Sequence, residues 1–199
     1  MFGDYRGALI TDRYSAYNVH KGDKQSCWAH LDRDFAKMAE REGTDGLIGR
    51  ALQGEADALF RAWRKFVEGA YSREELYASV KDVVIPNVRA YLKAGAILEG
   101  LQRKTRSTCY DLLRRFKSLW LFLYREGVEP TNNRSERELR PAVIRKKISF
   151  GSRSEWGERF IERVLTVTGT FRQMSKNVYE YFTECFRARQ RDGPLPTPW

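Results

Sequence analysis

The sequence predicts an α/β protein in which a small amount of sheet is followed by a great deal of helix. Two short apolar runs near the N-terminus, residues 8–10 and 25–29, are separated by a turn-forming KGDK and read as strands. From residue 37 to 128 apolar residues instead recur at helical spacing. Ser72 with Glu75 and Asn177 with Glu180 add the spacing of helix N-caps. At 199 residues and 42% hydrophobic, the chain can bury a core in one domain, or in one domain with an insertion.

The first strand runs out on Thr11 and Asp12. An Asp at the C-terminal end of a buried strand lies at a sheet edge, where its carboxylate can face a ligand; Asp also starts turns, and both readings stand. After the second strand, Cys27 and His30 form C-x-x-H. A structural zinc site needs four ligands, and only two cysteines and His20 remain to complete one. His30 either approaches a site or packs beneath the next helix.

A helix is expected over residues 30–42, broken by GTDG at 43–46. Residues 47–70 follow with a core stripe of Leu52, Leu59, Phe60, Trp63, Phe66 and Val67. Ser72 opens the next helix, with Leu76, Val80, Val83 and Val84 on one side; Pro86 should kink or end it, and residues 88–101 continue helically. Residues 107–126 read as one strongly apolar helix carrying Leu112, Leu113, Phe116, Leu119, Trp120 and Leu123, and Gly127 is placed to stop it.

Residues 130–147, PTNNRSERELRPAVIRKK, hold the carboxylate Glu136, with Glu138 two residues on, among paired asparagines and basic residues. Asn133 followed by Glu136 is a capping-box spacing, so Glu136 either closes a helix start or carries chemistry from it. Arg140, one turn on, shares the face of Glu136 and is a phosphate candidate; Arg137 points beside it or away, and Arg145, Lys146 and Lys147 form a run suited to a phosphodiester backbone. Residues 148–154, ISFGSRS, read as a connector without the G-K-[ST] of a P-loop. Ser154 or Glu155 then opens a helix expected to bury Phe160, Ile161, Val164, Leu165, Val167 and Phe171, and Asn177 caps a last one with Val178, Tyr181, Phe182, Cys185 and Phe186. The tail, residues 193–199, should be extended.

Net charge is +10, and it is localised. Residues 100–147 carry thirteen Lys or Arg against five acids, whereas residues 40–99 carry nine against ten. Such a surplus suits a polyanion, whose counterions are released on binding. Arg103, Lys104, Arg106, Arg114, Arg115 and Lys117 are offset locally by Asp111 alone; they line DNA or form a solvated helix face. No apolar run reaches a membrane span, no signal peptide is visible, and a cytoplasmic protein is expected. Three widely spaced cysteines argue against a disulfide framework.

Four strings, TDRYSAY (11–17), CWAHLDRDF (27–35), NNRSER (132–137) and RKKISFGSRSEWGER (145–159), together resemble the IS66 family of bacterial insertion-sequence transposases. The resemblance runs from about Tyr5 to the tail. It implies an RNase H-like catalytic core with a large α-helical insertion before the last acid of a DDE carboxylate triad. By that likeness Asp12 matches the second Asp and Glu136 the Glu, both binding Mg2+ (or Mn2+), with His30, Asn132 and Asn133 around them. The implied division is partial core strands at 1–36, insertion at 37–128, a core helix with C-terminal helices at 129–192, and the tail. The implied partners are DNA at element ends and target, and further copies of the chain as a homo-oligomer in a nucleoid-associated transposition complex.

In the family the first Asp lies on a strand well upstream. Only Asp4 precedes Asp12 here, too close for a separate neighbouring strand, so the chain is expected to lack the N-terminal strands and one catalytic Asp. Metal-dependent strand cleavage and transfer is therefore expected of the family, and DNA binding without cutting of this chain. The alternatives are a non-catalytic DNA-binding remnant that modulates a full-length transposase, and a general RNase H-like nuclease.

Overall fold

Two short strands, β1 (Leu9–Thr11) and β2 (Lys24–Ser26), pair in parallel with Leu9 opposite Lys24, Ile10 opposite Gln25 and Thr11 opposite Ser26. Parallel strands cannot be joined by a tight hairpin, and a 3-10 helix, Ser15–Val19, occupies the crossover. The computed structural model describes residues 5–149, 151–152 and 154–197. Asp4 lies outside them, as do Phe150 and Arg153 of the 148–154 connector and Pro198 and Trp199 of the tail. The chain divides into two compact units, Met1–Asn133 and Arg134–Trp199.

The second strand is shorter than its apolar run. Gln25 is fully buried, and its amide donates to the carbonyls of Ser26 (2.8 Å) and Leu119 (3.1 Å) and accepts from the Phe122 N–H (3.0 Å). That pins the strand, and the next large residue, Trp28, already opens α1 (Trp28–Ala39) with its face in the core.

In the first unit α1 is followed by α2 (Gly43–Val67), α3 (Arg73–Lys81), α4 (Val84–Ile97) and α5 (Arg103–Arg114), then a 3-10 turn, Phe116–Leu119, and the short α6 (Leu121–Tyr124). Their common core includes Phe35, Leu52, Leu59, Leu76, Val88, Leu92, Leu112 and Phe122. GTDG does not divide two helices but forms the first turn of α2, begun by Gly43 at φ +63°. Its Asp45 is buried and accepts from the Gln102 N–H (3.2 Å) and the Thr105 hydroxyl, fastening the start of α2 to the start of α5. Gly49 lets α1 and α2 touch: a Cβ there would sit 2.3 Å from the Ala39 nitrogen.

Three further sequence expectations are corrected in this unit. Pro86 neither kinks nor ends a helix; it sits in the first turn of α4, where a missing N–H breaks no ladder bond. Val67 and Val83 are exposed at 65% and 59% rather than in the core. The helix expected over 107–126 starts earlier, at Arg103, and breaks at Arg115. The Leu119 carbonyl receives the Trp28 indole N–H (2.7 Å) as well as the Gln25 amide, and the Leu123 N–H bonds to Trp120 instead. Tertiary donors have taken an acceptor that a continuous helix would use.

The second unit contains α7 (Asn133–Ser149) from Arg134 onward, its first residue closing the first unit, and then α8 (Glu155–Gln173) and α9 (Val178–Gln190). Ile148 and Ser149 belong to α7, not to a connector. The Ser154 hydroxyl accepts from the Gly157 N–H and the Asn177 side chain from those of Tyr179 and Glu180, so both caps form as the sequence implies. Burial does not follow: among the described residues of this unit only Phe171 is buried. Ile161, Val164, Leu165 and Val167 are half-buried, and Phe160 and Phe186 are exposed. The described chain is thus mostly helical with a two-stranded parallel sheet. No described helix is long and apolar enough to cross a membrane.

Candidate functional site

Asp12 stands one residue beyond β1, half-buried. Its Oδ1 accepts from the Tyr14 N–H at 3.0 Å, a local turn bond that fixes the carboxylate and leaves Oδ2 without a partner among the described residues. This Asp shapes a turn and borders open space. That space is a cavity of about 450 Å³ lined by Asp12, Tyr17, Lys24, Ser26 and, from the end of α5, Asp111, Arg114 and Arg115. A hydroxyl pair, Ser26 to Ser118 at 2.8 Å, ties β2 to the segment after α5 and so brings these stretches together.

The cavity is cationic on balance. Asp111 is held by Arg115 at 2.7 Å through one oxygen and by Arg13 at 3.4 Å through the other, and Arg13 also pairs with Asp34. Its charge is spent locally, whereas Arg114 is exposed and pairs with no acid among the described residues. Lys24 and Asp111 were not legible as site residues. Lys24 sits in a turn-like KGDK, and only the fold carries it and α5 to the Asp12 carboxylate.

On α5 the residues Arg103, Arg106, Tyr110 and Arg114, spaced i, i+3, i+7 and i+11, fall on one exposed face, with Lys104 beside them. Thr105, Cys109 and Leu112 are buried on the opposite side. Burial, with the Asp45 charge adding to it, pushes the Cys109 thiol up to about 11, so it is an inert core group. Arg115 turns to Asp111 instead of joining the stripe, and Lys117 is exposed just beyond the helix.

Two strings far apart in sequence meet inside the first unit. The Trp28 N–H donates to the Pro130 carbonyl at 2.9 Å, and the Asn132 N–H approaches the Cys27 sulfur at 3.5 Å. The start of α1, where His30 lies half-buried in the first turn, is thereby joined to the segment leading into α7. Asn132 is half-buried, and Asn133 is exposed as the first residue of α7.

Glu136 is exposed in the first turn of α7. Arg140 and Lys147 share its face, and Arg137 lies next to it. Arg145 and Lys146 do not: with Leu139 and Ala142 they line a groove of about 560 Å³ against Ile161 and Leu165 of α8. The basic run is therefore split between two faces.

As donors for a metal, carboxylate oxygens such as Asp12 Oδ2 are of the hard type that Mg2+ or Mn2+ takes. Among the described residues no three His, Cys, Asp or Glu side chains cluster to hold an ion. The donors fit in kind, and the described residues do not assemble a full ligand set.

The fold and site define a mostly helical α/β protein whose strand-end carboxylate opens into a cation-rimmed cavity beside a basic helix. The model of the Transposase IS66 family matches residues 1–159, and the chain belongs to that family. It is also 28% identical over 186 residues to an uncharacterized protein, y4qI, of Sinorhizobium fredii (strain NBRC 101917 / NGR234), covering 83% of this chain and 33% of that protein. The chain thus spans about a third of the length of this relative. No solved structure matches.

Proposed function

We propose that the chain acts in insertion-sequence transposition, as the part of a DDE transposase that holds DNA at Asp12 and contributes Asp12 and Glu136 to an RNase H-like catalytic site. The observation that carries this reading is the Asp12 cavity. A half-buried carboxylate at a strand end, with Lys24, Arg114 and Arg115 around it, suits a phosphodiester flanked by cation ligands. Mg2+ or Mn2+, when bound by the two carboxylates with a further acid, would activate the attacking oxygen and stabilise the leaving one. The chain's own cations hold the phosphate, and the Tyr14 N–H holds Asp12 in orientation. Arg103, Arg106 and Arg114 extend the track along α5, and Arg137, Arg140 and Lys147 provide a second basic face beside Glu136. His30, Asn132 and Asn133 act as supports, His30 from the first turn of α1 and the asparagines from the end of the first unit. The setting is the bacterial cytoplasm at the nucleoid, in a homo-oligomeric complex with element ends and target DNA.

For this chain alone the proposal is binding without cleavage, because two carboxylates do not hold two metal ions as three do. Incubation with Mg2+ or Mn2+ and DNA bearing the element's ends tests it. Retarded DNA with intact strands is the expected result, and strand cleavage abolished by Glu136→Gln would overturn the inactivity.

A second reading, a non-catalytic modulator of a longer transposase, is favoured by one observation: the exposed α5 face of Arg103, Arg106, Tyr110 and Arg114 contains no acid. Added to a transposition assay, such a modulator lowers the yield equally as wild type and as Asp12→Asn. A chain that works through its carboxylates loses its effect on that substitution.

A further inference from the structure

Lys24 and Ser118 line not only the Asp12 cavity but also a second one of about 650 Å³. The walls of that second cavity are aromatic and basic: Phe116, Trp120 and Tyr124, with Arg89 and Lys117. The Arg89 guanidinium lies 4.4 Å from the centre of the Phe116 ring. Tyr124 is 61% exposed, so its ring is available at the mouth. Trp120 is 3% exposed, and its indole N–H is buried with no acceptor among the described residues. A buried donor left without a partner is costly, and native structures normally explain each one. Asp23, the acid in the lining, is taken up by Arg125.

These features select a ligand. Flat aromatic walls and a guanidinium plane stack on a heterocycle; a free phosphate would leave them unused, and a hydrocarbon would leave the cations unused. The volume lies within the range of about 300–1,000 Å³ usual for small-ligand sites. Lys24, shared by both cavities, is placed to hold the backbone between them. We propose that this cavity receives one unstacked nucleobase of the DNA strand whose phosphate lies in the Asp12 cavity. The inference rests on the reading of the Asp12 cavity as a DNA site.

Fluorescence anisotropy without divalent metal tests it, using three duplexes: one fully paired, one with a single unpaired base, and one with an abasic residue at that position. Wild type should bind the unpaired-base duplex about five- to tenfold more tightly than the abasic one, the scale of one base stacked on an aromatic surface. Tyr124→Ala and Arg89→Ala, both at exposed positions, should bring that ratio close to one and leave binding to the fully paired duplex unchanged, while Tyr124→Phe restores it. Equal binding of the two duplexes by wild type, or a preference that survives both alanine variants, overturns the base pocket and leaves the DNA-binding reading standing. No binding to any of the three overturns both.

Discussion

The two units use the same kind of sequence and reach different ends. In the first, amphipathic helices close a core in which Trp28, Leu31, Leu52, Leu59, Leu76, Val88, Leu92, Leu112 and Phe122 are fully buried. In the second, helices with an equally regular apolar period bury Phe171 alone among the described residues, while Trp156 is 76%, Tyr179 78% and Phe186 72% exposed. Helical periodicity reports a helix; whether the stripe is sealed depends on partners from elsewhere in the chain. The first unit has those partners, since Gln25, Trp28 and Asp45 each bond across dozens of residues.

The largest difference between the units should appear when one aromatic in each is truncated. Phe35→Ala should cost about 3–5 kcal/mol in urea denaturation, because Phe35 is fully buried, whereas Phe160→Ala, half exposed, should cost under about 1 kcal/mol. Similar losses at the two positions would mean that the exposure difference has no energetic meaning. Next comes the long-range polar anchor. Gln25→Ala deprives the buried Phe122 N–H of its acceptor and should cost about 1–3 kcal/mol for that group, plus the lost packing.

Each unit's share of the proposed DNA contact can be read separately. Replacing Arg103, Arg106 and Arg114 together by Ala should weaken duplex binding about tenfold and flatten the salt dependence of log K by up to about 0.9 per phosphate contact removed. The matching triple in α7, Arg137, Arg140 and Lys147, reports the second unit's share in the same titration. A flat response to the α5 triple would assign that stripe to solvent.

The smallest effect concerns Asp32. Partial burial first, and the nearby Asp57 charge second, raise its carboxyl above the ordinary range. The folded state therefore holds this proton more tightly than the unfolded one, so Asp32 is least unfavourable at low pH and most unfavourable once ionised. Asp32→Asn should raise the Tm at pH 7, and the gain should fade as pH falls towards about 3.9, where the unfolded Asp also protonates.

Much was legible because it is local. The capping residues Ser72, Ser154 and Asn177 follow from bonds within a few residues, and Glu136 falls in the first turn of the helix that its surroundings announce. Asp12 was visible as a strand-end acid, and its turn bond to Tyr14 is equally local. Pro86 was misjudged because a proline's effect depends on where the helix starts, which the proline itself does not say.

Local pattern in the chain determined most of the helices, the caps at Ser72, Ser154 and Asn177, and which carboxylates and cations exist to be used. The tertiary structure decided where a long apolar helix must break, which apolar stripes are buried, and which cations meet Asp12. The physical reason is the same in each case. The Leu119 carbonyl is claimed by Gln25 and Trp28 from more than ninety residues away, and Arg114 and Lys24 line one cavity where Ser26 bonds to Ser118. Such bonds join residues whose spacing in the chain carries no information about their distance in space.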